Sequence, residues 1–230
     1  GFELFGNGYE YKTPTDLAQS KNSSANTVEA TPSTLSSVLS NATAGDTIML
    51  NDGIYSPITI TKSINIIAKN KNKVVFVPIP PVDFAETSTP NVYSFTKTTA
   101  PTSVFDVSDI DKGIIRTLTS VALGNIGTPG TYNVGSKIYV HMFNNKVADP
   151  SALLFDNTSL EAVILIQPSA QSKVYLEGVV VIGGKRNILA KDTSAADPTT
   201  VIMKNCKLLR SNTNDAISLL GSNGYFQNCE

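Results

Sequence analysis

Three short segments near the end of the chain can be laid over one another, and no other feature restricts the fold as strongly. They are Leu176-Glu177-Gly178-Val179-Val180-Val181, Met203-Lys204-Asn205-Cys206-Lys207-Leu208 and Phe226-Gln227-Asn228-Cys229-Glu230, offset by 27 and 23 positions. Each reads apolar, polar, Gly or Asn, apolar: a strand, a one-residue corner and a second strand whose apolar side chains point the same way. A repeat of this length, built from strands and no helix, predicts stacked coils of a parallel β-solenoid in which each coil buries its inward face against the next. Asn205 and Asn228 then occupy equivalent corners about 4.8 Å apart. The same stacking sets Cys206 over Cys229, where either a disulfide or two buried thiols acting as small hydrophobes fits; buried thiols are the commoner state.

Upstream, Thr31-Pro32-Ser33 offers a helix start, and Leu35, Val38 and Leu39 fall on one helical face, so a short amphipathic helix is expected over residues 34–41. From Asp46 the period changes to two, through Ile48 and Leu50, a turn at Asn51-Asp52-Gly53, Ile58 and Ile60, Ile64 and Ile66, and Val74 to Val77. Residues 78–102 hold five of the twelve prolines and read as a loop or inserted segment. Strand-like runs resume over residues 103–107, 113–123, 137–143 and 162–167, with a tight turn at Thr128-Pro129-Gly130-Thr131. The expected organisation is therefore an N-terminal arm over 1–33, a capping helix and first coils over 34–77, an inserted β-rich region over 78–170, and continuing coils over 171–230.

Composition narrows the function. Hydrophobic residues are 41% and charged residues 16% of the 230, enough to bury a sizeable core behind a neutral polar surface. A formal net charge of −1 provides no basic field for nucleic acid, which is not an expected partner. No window approaches the roughly 20 apolar residues of a membrane-spanning helix, and no basic-led apolar leader opens the chain, so membrane insertion is not expected. Two cysteines and one histidine exclude a His- or Cys-rich metal cluster, and no tight Asp/Glu cluster supports calcium, so neither metal nor cofactor is expected. The chain opens at Gly1 without an initiator Met and stops at Glu230 inside a strand-like pattern, and it reads as a fragment of a longer chain.

The run from Thr34 to Val77, with TLSSVL followed by AGDTIMLNDGIYSPITITKSINIIAKNKNKVVF, resembles the capping helix and first coils of right-handed parallel β-helix proteins of the pectate-lyase-like class. The segments LEGVVV, MKNCKL and FQNCE look like later coils with an asparagine corner ladder. PGTYNVGSKIYVHMF is similar to insertions early in carbohydrate-active β-helices, including bacteriophage tailspikes. The resemblance implies an all-β fold and a tailspike depolymerase, a homotrimer when complete. Such a protein binds and cleaves a bacterial capsular or surface polysaccharide, with hydrolysis favoured over elimination, at the virion tail outside the host cell. A secreted polysaccharide lyase and a noncatalytic adhesin or structural fibre are the alternatives.

Function must then be argued from particular side chains. Glycoside hydrolysis needs two carboxylates. Among the acids of the repeat region (Glu177, Asp192, Asp197, Asp215 and Glu230) the expected catalytic pair is Asp215, in the Asn212–Asp215 turn, and Glu230, outward-facing beyond a corner. The competing reading makes Asp215 a turn residue bonded to its own backbone, and pairs Glu230 with Lys207 on the neighbouring coil. Lys185, Arg186 and Arg210 are the expected substrate-binding cations. His141 alternates with Ile138, Val140 and Met142, which suits packing better than a sugar-stacking face, and no G-x-S-x-G elbow accompanies it.

Overall fold

A computed structural model describes residues 20–23, 26–109, 112, 114–192, 198–212 and 215–230. The fold is all-β, and its one α-helix among the described residues is α1 (Leu35–Asn41). The Thr31 N–H donates to Thr34 Oγ1 at 2.9 Å and opens this helix, while Lys62 Nζ closes it by donating to the carbonyls of Leu39, Ser40 and Ala42 at 3.4, 3.2 and 2.8 Å.

Three parallel sheets form the body. The first, in spatial order, is β1 (Thr27–Ala30), β2 (Thr47–Leu50), β5 (Ile64–Ala68), β16 (Lys173–Glu177), β19 (Thr199–Lys204) and β22 (Ser222–Gln227). A second contains β3 (Gly53–Tyr55), β6 (Val74–Phe76), β17 (Val179–Ile182) and β20 (Lys207–Leu209). The third contains β4 (Ile58–Ile60), β15 (Ile164–Ile166), β18 (Ile188–Lys191) and β21 (Ile217–Leu220). From β2 onward the chain visits the first, second and third sheets in that order, again and again. Strand pairing is in register with the sequence repeat: Leu176 stands beside Met203, and Met203 beside Phe226. Inward residues of all three sheets, with Leu35 and Leu39 of α1, make one core. Tyr55 is fully buried there, its hydroxyl 2.6 Å from Asn51 O and 3.1 Å from Ala30 O. Burial, then the charge of Asp52, pushes its phenol up to about 12.

Between β6 and β15 the chain leaves the body and builds two further sheets. One is antiparallel, with β9 (Ser103–Asp109) between β10 (Ile114–Thr117) and β14 (Leu153–Asp156). The other is mixed, in the order β11 (Thr119–Ser120), β12 (Thr131–Val134), β13 (Lys137–His141), β8 (Val92–Thr96) and β7 (Ala85–Glu86). Phe105, Val107 and Leu154 pack on the outward residues Val180 and Ile182 of the second sheet. Val104, Leu153 and Phe155 face the other way onto Phe95, Ile138 and Val140, with the Phe95 and Phe155 rings edge to face at 5.2 Å. The β10-β9-β14 sheet is thus covered on both faces. The second sheet of the body is buried on both faces too, which is why Val179-Val180-Val181-Ile182 is an unbroken apolar run.

Several boundaries differ from expectation. The arm expected over 1–33 lies partly outside the described residues, but Thr27–Ala30 forms β1, parallel to β2; only Ala30 of its four side chains is buried, so no period of two shows in the sequence. The insertion expected to run to residue 170 ends sooner, because Ile164–Ile166 pairs with both Ile58–Ile60 and Ile188–Ala190 in the third sheet. The proline-rich stretch 78–102 hides a central strand, β8, which Pro90 and Pro101 bracket without interrupting. Residue 113 lies outside the described residues; the rest of the run 113–123 splits into β10, β11 and the start of a 3-10 turn at Leu123–Asn125.

Candidate functional site

Each passage through the body turns two kinds of corner beside the second sheet, and the candidate side chains divide between them. At the first corner, between first and second sheets, Gly178, Asn205 and Asn228 adopt φ of 74°, 55° and 52°. Asn tolerates this left-handed conformation better than other side-chain-bearing residues and Gly is free of the penalty, so the repeated Gly/Asn is a backbone requirement. Asn228 Nδ2 donates to Asn205 Oδ1 at 3.4 Å. Glu230 belongs to this corner: its N–H donates to Cys206 O at 3.0 Å, and its carboxylate pairs with Lys207 Nζ at 3.0 Å. Cys206 is buried, Cys229 half-buried, and both are free thiols.

At the second corner, between second and third sheets, the chain bends at Gly183 and Gly184, with φ of 83° and 75°. A Cβ on Gly184 would stand 2.9 Å from Val163 Cγ2, so the close approach to the start of β15 requires glycine. Asp156, at the end of β14 and fully buried, accepts from Gly184 N at 2.9 Å, from Asn157 N at 2.8 Å and from the Asn212 side-chain amide. Its oxygens are committed to tying the insertion to two successive passages of the body, a structural duty. Asn187, also fully buried, donates to Gly183 O and Leu209 O at 3.0 and 3.1 Å and braces the same bend.

The expected cations gather here. Lys185 is exposed and Arg186 half-buried on the bend itself; the Lys185 N–H donates to Leu160 O and Arg186 O accepts from Val163 N, each at 3.1 Å. Arg210, one passage further along, lays its guanidinium over the Phe105 ring at 3.5 Å. Burial lowers the Arg210 pKa, and the charge of Asp156 opposes that shift. Asp215 follows residues 213 and 214 of its expected turn, which lie outside the described residues. It is exposed and accepts from Ser218 Oγ at 3.3 Å. The Ile188 N–H donates to Ala216 O at 3.0 Å, so the backbone beside Asp215 stacks on that beside Arg186. Lys185, Arg186, Arg210 and Asp215 therefore share a corner, and Glu230 stands on the other side of β20.

One carboxylate at this corner escapes a reading of the repeat region alone. Glu161 pairs with Lys191 at 2.5 Å. The Lys191 hydrogen bond holds its carboxyl below the usual range, and the charges of Lys191, Arg186 and Lys185 add to the shift. It was hidden because residues 78–170 read as insertion, whereas Glu161 sits at the point of return to the body.

Other candidates are accounted for by packing. His141 is buried, with Nδ1 3.1 Å from Ile126 O and Nε2 2.9 Å from Asn145 Oδ1. A groove of about 370 Å³ between α1 and β4 contains Lys62, whose ammonium is turned onto the helix carbonyls, and no carboxylate. Among the described residues no three His, Cys, Asp or Glu side chains are grouped to hold a metal ion, and no helix is long and apolar enough to cross a membrane. The second corner offers cations and two exposed carboxylates, a set suited to binding a hydroxyl-rich or anionic chain and to acid–base work on it. Comparison with protein-family models, curated proteins and solved structures finds no match.

Proposed function

We propose that the three sheets are the walls of a right-handed parallel β-helix belonging to a tailspike-type depolymerase. In this reading the protein is carried on a phage tail as a homotrimer in its complete form, and binds and hydrolyses a bacterial capsular or surface polysaccharide. The β-helix is supported by the recurring order of the strands and their in-register pairing, and its hand by the strong right-handed preference of parallel crossovers.

The activity rests on one observation: the Lys185–Arg186 bend bonds to the backbone beside Glu161 and carries charges that lower its pKa, and Arg210 and Asp215 lie in the corresponding segment of the next passage through the body. A sugar chain lying across this corner would be oriented by the exposed Lys185 and the half-buried Arg186 and Arg210. Glycosidases hold their two carboxylates roughly 5 to 9.5 Å apart. Glu161, kept ionised by its neighbours, suits the base or nucleophile, and Asp215 is the second carboxylate of the corner. Glu230, paired with Lys207 at the first corner, has no part in this arrangement.

The test is incubation of the protein with purified capsular polysaccharides, following reducing ends and the ultraviolet absorbance of a new C=C bond. New reducing ends without absorbance are expected, with Glu161→Gln and Asp215→Asn each losing at least about a hundredfold in rate, the lower side of typical acid–base contributions. Absorbance rising with the ends makes the protein a lyase. Binding without cleavage makes it an adhesin, and neither on any polymer overturns the proposal.

A further inference from the structure

We infer that Arg186 is the anion-binding fork of the second corner, taking an acidic group of the polysaccharide, a sugar carboxylate or a phosphodiester, so that the substrate is an acidic polymer. The inference rests on the reading of this corner as a polysaccharide site. The chain has three arginines, and the other two have charged or aromatic partners. Arg116 donates to Asp109 Oδ2 at 2.8 Å and stands 3.8 Å from Asp106 Oδ2, while the Arg210 guanidinium lies over the Phe105 ring. Arg186 has neither: among the described residues no carboxylate pairs with its guanidinium, no ring lies beneath it and no oxygen accepts from it. The acids of the corner are committed elsewhere. Glu161 accepts from Lys191 Nζ at 2.5 Å, Asp215 from Ser218 Oγ, and Asp156 from the Gly184 and Asn157 N–H groups and the Asn212 amide.

The backbone that carries this unpaired side chain is held from both sides. Arg186 O accepts from Val163 N at 3.1 Å in the preceding passage through the body, and the Ile188 N–H donates to Ala216 O at 3.0 Å in the following one. Between them the fully buried Asn187 donates to Gly183 O and Leu209 O at 3.0 and 3.1 Å. The Arg186 side chain is itself half-buried, and its Nε–H is shut off from solvent without an acceptor. Burying an N–H unpaired costs free energy, and native structures keep such a cost chiefly where a ligand or a bound water compensates it. Burial at Nε restrains the stem and leaves the two terminal NH2 groups as the open end of the guanidinium. These donate two parallel N–H bonds, which match the two oxygens of a carboxylate or phosphate; a sugar hydroxyl offers one oxygen and no charge.

The experiment measures binding of two pairs of polymers to the whole chain by titration calorimetry. One pair is a uronate polysaccharide and its carboxyl-reduced form; the other is a phosphodiester-linked glycan and a neutral glycan of the same sugars. The acidic member of one pair should bind at least about tenfold more tightly than its neutral counterpart, the lower side of what hydrogen bonds to a charged group contribute. The pair that discriminates identifies the acidic group. Arg186→Gln should erase the preference and leave the neutral polymer's affinity unchanged, and Arg186→Lys, which keeps the charge without the fork, should restore only part of it. The wild-type comparison needs no variant and decides by itself whether an acidic polymer is preferred. Equal binding within both pairs, or a preference that survives Arg186→Gln, overturns the proposal. Cleavage of neutral polymers without preference for acidic ones also overturns it while leaving the depolymerase reading intact. An acid preference lost in Arg186→Gln, without cleavage, supports it and counts against hydrolysis.

Discussion

The three-sheet body and the insertion bury similar side chains by different means. In the body the strands pair in register, so Leu176, Met203 and Phe226 form a column across the first sheet and the same interaction recurs from strand to strand. The insertion closes on itself in a sandwich around Phe95, Phe155, Ile138 and Val140, and it meets the body through Phe105, Val107 and Leu154 and through the buried carboxylate of Asp156. Repetition spreads stability over many equivalent contacts, whereas the junction concentrates it in a few. The candidate site stands at that junction, where the coil geometry is interrupted and side chains from distant segments meet.

The comparison breaks most readily at Asp156. Asp156→Ala leaves the Gly184 N–H, the Asn212 amide and the Arg210 charge facing an empty position, and a loss of about 3–5 kcal/mol is expected for an uncompensated buried partner. Denaturant unfolding should show it, with the insertion melting before the body. A loss under about 1 kcal/mol would mean the apolar contacts alone hold the insertion.

A smaller effect sharpens the account of the body. Asn205→Ala places an ordinary side chain at φ 55° and should cost about 1–2 kcal/mol, while Asn205→Gly should cost less. If the alanine variant proves the more stable of the two, the corner ladder is decided by side-chain bonding and not by backbone conformation.

The smallest effect belongs to Glu230→Gln. Its carboxylate pairs with Lys207 across a largely exposed surface, and a change below about 1 kcal/mol is expected, shrinking further in high salt. A change of polysaccharide turnover in this variant would return Glu230 to the catalytic site and count against the second corner.

Much of the body was legible because its physics is local and periodic. A residue at positive φ must be Gly or Asn with some regularity, so Gly178, Asn205 and Asn228 announced themselves, and the flanking apolar residues supplied the register. The helix over Leu35–Asn41 was legible for the same reason. The strand β8 was not, because prolines outside a strand look like prolines within one until its partners are known. At the site, the cations Lys185, Arg186 and Arg210 could be picked out as residue types, but their placement at one corner depended on the bend at Gly183 and Gly184 and, for Arg210, on Phe105, over seventy positions away. Glu161 was missed because β15 carries too few residues to show by itself that it returns to the third sheet.

By itself the sequence determined an all-β chain, the inward residues of the repeated segments near its end and their Gly/Asn corners, since these follow from side-chain period and the conformational freedom of single residues. Only the tertiary structure decided which outward face the insertion covers and which charges share a corner. Those outcomes depend on contacts between segments far apart in sequence, whose energies no local pattern records.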